Sequence, residues 1–212
     1  MSRSAEGGVV VAITGASGSI YGVSMLRRLR ELGLETHLIV SEAGARCIKA
    51  ELGMGPEELH GLATRWHDNA DIGAVIASGS VRTRGMIVAP CTIKTLSGVA
   101  ACRADSLILR AADVTLKEGR PLLLLLRETP LHLGHLKLMV QVAEYGAIVF
   151  PAVPGFYTRP TTIDELASRL VDRCLERFGI ATTTSIPWAG DRAVDDAGAA
   201  RRPPSAKREQ CA

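Results

Sequence analysis

The segment Gly8-Val-Val-Val-Ala-Ile-Thr-Gly-Ala-Ser-Gly-Ser-Ile-Tyr-Gly22 reads as a buried strand, a glycine turn and the opening of a helix. The β-branched run Gly8–Thr14 supplies the strand and Gly15–Gly18 the turn, and Ile20, Val23, Met25, Leu26 and Leu29 then recur at helical spacing. Gly33 ends this helix, Glu35–Val40 gives a second strand stopping at Ser41, and a helix follows over Ala43–Leu52, so a βαβ unit closes. Met86–Ala89 (ending at Pro90), Leu122–Leu126 and Ala147–Phe150 predict three further buried strands, each preceded by a helical segment. Strands that alternate with helices predict an α/β fold with a doubly wound, mainly parallel sheet. Polar residues follow each strand at Gly15–Ser19, Ser41, Cys91–Thr95, Arg127–Thr129 and Pro154–Arg159. They would share the carboxyl edge of the sheet, where open α/β sheets hold their ligands.

The chain of 212 residues has room for one well-cored domain, which we expect over residues 1–188. After Trp188 the composition turns to Gly, Ala, Arg and Pro without apolar periodicity, which predicts a disordered tail over 189–212. A formal charge of only +3, scattered along the sequence, argues against a nucleic-acid or membrane footprint. The longest strongly apolar stretches, such as Ala147–Val153, fall far short of the roughly 18 residues of a spanning helix. Only Arg3 precedes an apolar run that enters a glycine turn directly, so no signal-peptide core is read and the protein is expected in the cytoplasm. Five cysteines without a CxxC pair suggest reduced thiols rather than disulfides or a zinc site. The histidines make no metal pattern, so no metal is expected.

Glycines at 15, 18 and 22 give GxxGxxxG, which misses dinucleotide spacing and favours a single phosphate at a helix N-terminus. The competing reading is a turn that needs glycine only for close helix packing. A second turn, Pro90-Cys-Thr-Ile-Lys-Thr95, also opens a helix and could grip the same ligand, or Thr92 could simply cap that helix. Lys117, Arg127 and Glu128 could bind a second phosphate, with the carboxyl delivering a proton to a departing phosphate oxygen. Cys91 reads as a small buried thiol rather than a nucleophile. Pro154–Pro160 offers Tyr157 in a proline-stiffened loop. Arg169, Arg173 and Arg177 form a row along a helix over Ile163–Phe178 that periodicity alone leaves as a solvated stripe.

Together Gly15–Gly22, Ser78-Gly-Ser80, Gly85–Cys91, Lys94-Thr-Leu96, Arg110–Glu118, Arg127-Glu-Thr-Pro-Leu131 and Pro154-Gly-Phe-Tyr157 resemble the UbiX-type flavin prenyltransferases over about residues 8–188. The resemblance implies a Rossmann-like three-layer sandwich that binds FMN. It implies transfer of a dimethylallyl group from dimethylallyl phosphate to N5 and C6 of reduced FMN without a metal, the product serving a UbiD-type decarboxylase. It also implies a homo-oligomer, often a dodecamer, with sites at subunit interfaces. By this resemblance Gly15, Ala16, Ser17, Ser41, Thr92, Ile93, Lys94, Thr95 and Arg127 contact FMN, with Ser17 also among the catalytic positions. Lys117, Tyr157 and Arg173 hold dimethylallyl phosphate, Glu128 protonates the leaving phosphate, and Glu51 serves the later ring-closing proton transfer.

Two departures stand out. Family members usually read Leu-Lys-Glu-Arg-Arg where this chain has Leu116-Lys-Glu-Gly-Arg120, and Gly119 is expected to remove a cation and loosen the helix end. Trp188, a candidate wall for the allyl group or a core residue, lacks the arginine often found just before it. Two other readings remain: an FMN-dependent decarboxylase of cysteinyl substrates, whose second turn resembles Pro-Ala-Ser-Ala-Asn-Thr rather than Pro90–Thr95, and a non-catalytic flavin carrier.

Overall fold

The computed structural model describes residues 7–182, so Trp188, the expected domain end and the expected tail lie outside the described residues. Six strands form one sheet: β1 (Gly8–Ile13), β2 (Thr36–Val40), β3 (Arg65–Asp68), β4 (Thr83–Cys91), β5 (Leu122–Leu126) and β6 (Ile148–Pro151). Their order is β3-β2-β1-β4-β5-β6 and every ladder is parallel. The order reverses between β1 and β4, which opens a crevice beyond their carboxyl ends. Seven helices are described: α1 (Ser19–Glu31), α2 (Glu42–Leu52), α3 (Pro56–His60), α4 (Ile93–Ala100), α5 (Leu107–Lys117), α6 (Leu133–Glu144) and α7 (Ile163–Arg177).

The unbroken Leu122–Leu126 run is explained by burial on both faces. Leu122, Leu124 and Leu126 join Met86 and Val88 in a core with residues of α4 and α5. Leu123 and Leu125 join Val11 and Ile87 in a second core with residues of α1 and α7. The result is the expected three-layer sandwich. Gly22 lies where α1 crosses the sheet, and a Cβ there would run into the carbonyl oxygen of Ala89. The glycine spacing in this segment therefore serves close packing as well as the turn.

The strand and helix expectations hold for β1, β2, β4, β5, β6, α1, α2 and α7 within a few residues. β3 and α3 have no counterpart in the sequence reading. β3 is the four-residue stretch Arg-Trp-His-Asp, largely exposed at the sheet's edge, so it has no apolar run to announce it, and charges there discourage further pairing. Among the described residues no helix is long and apolar enough to cross a membrane.

Candidate flavin site at the switch point

The β1 and β4 turns are tied together by one hydroxyl. Thr14 donates from Oγ1 to the Pro90 carbonyl at 2.7 Å and accepts the Thr92 N–H at 3.0 Å. Thr14 is 2% exposed, so this bridge fixes the spacing of the two turns across the switch point. Thr92 then caps α4, accepting the Thr95 N–H at 3.1 Å and meeting the Thr95 hydroxyl at 3.0 Å. Ser41 caps α2 in the same way, accepting the Gly44 N–H at 3.0 Å. Ser106 caps α5 and, beside it, Asn69 accepts the Leu107 and Ile108 N–H groups through its carbonyl and Oδ1.

These capped ends converge on a cavity of about 570 Å³ whose wall includes Gly15, Ser41, Thr92, Lys94, Thr95 and Ser106. Three helix N-termini therefore face one space with hydroxyls and the Lys94 cation, the donor set that a phosphate ester needs. Arg46 and Arg103 stand on the same wall, paired with Glu42 and Asp105. A second cavity of about 470 Å³, lined by apolar groups of β2, α2 and α3, shares Glu42, Arg46 and Asn69 with the first. Ile93, partly buried, packs against the core.

The α1 N-terminus is already engaged. Glu51 accepts the Gly18 N–H at 3.0 Å and the Ser19 N–H at 2.8 Å. Burial alone would raise the Glu51 carboxyl, but hydrogen bonds from the Ser17 hydroxyl and the Ser19 and Gly18 amides outweigh it and hold the group below its ordinary value. The amides that open α1, where the glycine spacing predicts a phosphate, thus meet a carboxylate of the same chain. Gly15 keeps its place on the cavity wall, and Ser17 touches the Glu51 carboxylate. Glu51 arrives because α2 crosses the carboxyl edge, with Ala43 against Gly15 at one end and Glu51 on α1 at the other.

Arg127 and Glu128 directly follow β5 on the same edge, with the Arg127 N–H on the Cys91 carbonyl at 3.1 Å. Tyr21 reports on this neighbourhood: burial raises its phenol while the Arg127 cation opposes the rise. Tyr157 lies in the loop after β6 and is 52% exposed. Cys91 ends β4 fully buried, and burial pushes its thiol up to about 12, as a packing thiol requires.

Lys117 and Arg173 do not join this group. Lys117 is the last residue of α5, where the chain turns into β5 at the opposite, amino edge, and its ammonium lies 3.8 Å from Glu118. Arg173 lies ten residues into α7, about 15 Å along the helix, and pairs with Glu176 at 2.9 Å. The expectation that Gly119 loosens the end of α5 is also corrected. Gly119 adopts φ +66°, its N–H bonds the Leu116 carbonyl and the Arg120 N–H bonds the Thr115 carbonyl, both at 2.9 Å, which is a Schellman stop.

The sequence reading missed Thr14, Arg46, Asn69, Arg103 and Ser106. Ser106, a capping residue type directly before an apolar helical run, carried a usable signal, whereas Asn69 carried none. Among the described residues no three His, Cys, Asp or Glu side chains group as a metal site.

A doubly wound sheet with capped helix ends around its switch point defines a mononucleotide-binding α/β protein, and the flavoprotein family model matches residues 2–162. Flavin prenyltransferase UbiX of Escherichia coli (strain K12) is 50% identical over 185 residues, covering 86% of this chain and 98% of that protein. Among solved structures, AnUbiX (PadA1) in complex with FMN and dimethylallyl pyrophosphate matches with a TM-score of 0.85 at 42% identity, covering 87% of this chain and 98% of that one. A dodecameric FMN-dependent UbiX-like decarboxylase from Escherichia coli O157:H7 matches with a TM-score of 0.83 at 43% identity, over 86% of this chain and 99% of that one. This chain belongs to the UbiX-type flavin prenyltransferase family of flavoproteins.

Proposed function

We propose that the protein transfers the dimethylallyl group of dimethylallyl phosphate to N5 and C6 of reduced FMN. The observation that carries this reading is the convergence of the capped α2, α4 and α5 N-termini on one cavity, with Arg127 and Glu128 on the same sheet edge. Ser41, Thr92, Lys94, Thr95 and the Gly15–Ser17 turn would hold FMN, with Ile93 contributing its backbone and Arg127 its cation. Reduced FMN supplies the nucleophilic N5 and C6 atoms.

Glu128 gives its proton to the phosphate oxygen as the allylic C–O bond breaks, and the Lys117 and Arg173 cations neutralise the departing phosphate. Tyr157 closes the donor site. Phosphate is a poor leaving group, so cations with a proton donor take the part that a metal plays in other prenyl transfers. Glu51, a carboxylate beside Ser17 at the glycine turn, would take the proton released during ring closure.

In one copy Lys117 and Arg173 sit away from the cavity, so this reading takes them from neighbouring copies. The dodecameric Escherichia coli relative supports that arrangement. Further support comes from Leu133, Leu136 and Val140, which stand exposed along one face of α6. A cytoplasmic location and a UbiD-type decarboxylase as recipient of the product complete the reading.

The test is anaerobic incubation of the purified protein with reduced FMN and dimethylallyl phosphate, followed by mass spectrometry of the released flavin. A flavin heavier by one C5H8 unit is expected, and Glu128→Gln should slow its formation by about two to four orders of magnitude. Unmodified FMN from the native protein would refute prenyl transfer from this donor. Dimethylallyl pyrophosphate, tested in parallel, tells the two donors apart. A Glu128→Gln variant as active as the native protein would remove Glu128 from the chemistry.

A further inference from the structure

The Ser78-Gly79-Ser80 loop is bound by α5 and the turn that follows it. Arg110 of α5 donates from Nε to the Ala77 carbonyl at 3.1 Å. Arg120, just past the α5 stop, donates to the Gly79 carbonyl at 2.8 Å, the Val81 carbonyl at 2.7 Å and the Thr83 hydroxyl at 3.2 Å. A Cβ on Gly79 would fall on the Glu118 carboxylate, so the loop and the end of α5 are in intimate contact. That carboxylate is the one 3.8 Å from the Lys117 ammonium. On the exposed side the Ser78 and Ser80 hydroxyls lie 2.8 Å apart. Arg120, Gly79, Glu118 and Lys117 thus form a continuous chain of contacts.

We infer that Arg120 is a positioning residue for donor-phosphate binding, clamping the 78–83 segment against the end of α5 and so fixing where Lys117 presents its ammonium. The inference rests on the proposed role of Lys117 in holding dimethylallyl phosphate. Guanidinium geometry suits the task, because a planar fork satisfies two carbonyls at once where an ammonium on a flexible stem would not. The oxygens that Arg120 binds here, two carbonyls and a hydroxyl, are all neutral. The stop at Gly119 completes the arrangement by turning the chain so that Arg120 faces back under the loop.

The experiment is steady-state prenyl transfer by Arg120→Met, Lys117→Met and the double variant, with FMN affinity and thermal midpoint measured alongside. For Arg120→Met we expect KM for dimethylallyl phosphate to rise about tenfold, with kcat within about threefold of native and FMN affinity unchanged. The double variant should have a KM no higher than Lys117→Met alone, because both act through one ammonium. A folded Arg120→Met with native KM, or a double variant whose effects multiply, overturns the inference while leaving Lys117 in place. A native KM in Lys117→Met instead overturns the underlying reading of that lysine. Thr83→Val, which removes a single bond of the clamp, covers the case in which Arg120→Met fails to fold: a rise of about two- to threefold is expected, and no change refutes the clamp.

Discussion

Replacing Glu51 by Gln tests whether the carboxylate on the α1 N-terminus is the element that organises the glycine turn. Two backbone donors are involved, Gly18 at 3.0 Å and Ser19 at 2.8 Å. An N-terminal cap of this kind contributes about 1 kcal/mol, and the negative charge adds a few tenths through the helix dipole. Gln keeps one acceptor oxygen but turns these charge-assisted bonds into neutral ones, roughly half as strong, and Glu51 faces solvent, so the expected loss is about 1 kcal/mol at most. In a chain of this size that is a fall of about 2–4 °C in thermal midpoint at pH 7. The pH dependence gives the sharper reading. The folded-state carboxyl is held below the ordinary value of 4.5, so its stabilisation is full above that value and is lost as pH falls through the folded-state value. The gap between native and variant midpoints, followed by circular dichroism from pH 7 downward, should stay constant to about pH 5 and then close. A gap that persists unchanged well below pH 4, or no gap at pH 7, would refute the cap.

Three further expectations follow from other parts of the molecule. His37 and His67 meet at 3.0 Å between Nδ1 and Nε2, and burial leads in lowering both. For His37, the His67 charge and Arg65 add to the fall while Glu35 opposes it; for His67, Arg65 adds and Asp71 opposes. The folded chain therefore binds fewer protons than the unfolded one, so stability is complete above about pH 6.5 and declines below it. Thermal midpoints between about pH 7.5 and about pH 5.5 should fall more steeply for the native chain than for His67→Gln, and parallel slopes would sink the idea. Iodoacetamide should alkylate exposed Cys102 and spare buried Cys91 in the folded protein, and Cys91→Ala should keep prenyl transfer within a few-fold; a loss of about a hundredfold by peptide-mapped, correctly folded protein would restore the nucleophile reading. Gly119→Arg, which restores the residue usual in the family, should lower stability by about 1 kcal/mol through left-handed strain, since nothing lies within 4 Å of the added Cβ. A rise in midpoint would contradict the Schellman stop.

The elements legible in the sequence were those whose burial leaves a mark in composition. Leu122–Leu126 is apolar at every position because both faces are covered, and α1 carries its stripe because one face packs on the sheet. Among the described residues Arg65–Asp68 pairs only with β2 and points much of itself to solvent, so nothing in its residue types separates it from a loop. In the site, the two turns and Arg127–Glu128 could be found because each directly follows a recognisable strand. Glu51 is placed by the path of α2 across the sheet edge, and the approach of α2 to α1 is a tertiary fact that no local spacing encodes. Asn69 is likewise important only because α5 happens to begin beside it.

The separation of Lys117 from the cavity follows from the winding of the chain. In a parallel sheet every strand leaves at the carboxyl edge, and the helix after it must return the chain to the amino edge before the next strand begins. Residues just after a strand, such as Thr92, Arg127 and Tyr157, are therefore gathered on one edge, and residues at a helix end that feeds a strand are delivered to the other. Lys117 precedes β5 by five residues and Arg127 follows it by one, so the strand itself, about 17 Å long, stands between them. Side-chain flexibility does not close such a gap, since a lysine reaches only about 6 Å from its Cα. Under the proposed reaction, flavin binding is thus assembled within one chain and donor-phosphate binding between chains. The 78–83 segment, bound by Arg120 through the Gly79 and Val81 carbonyls, lies on the Lys117 side of that division.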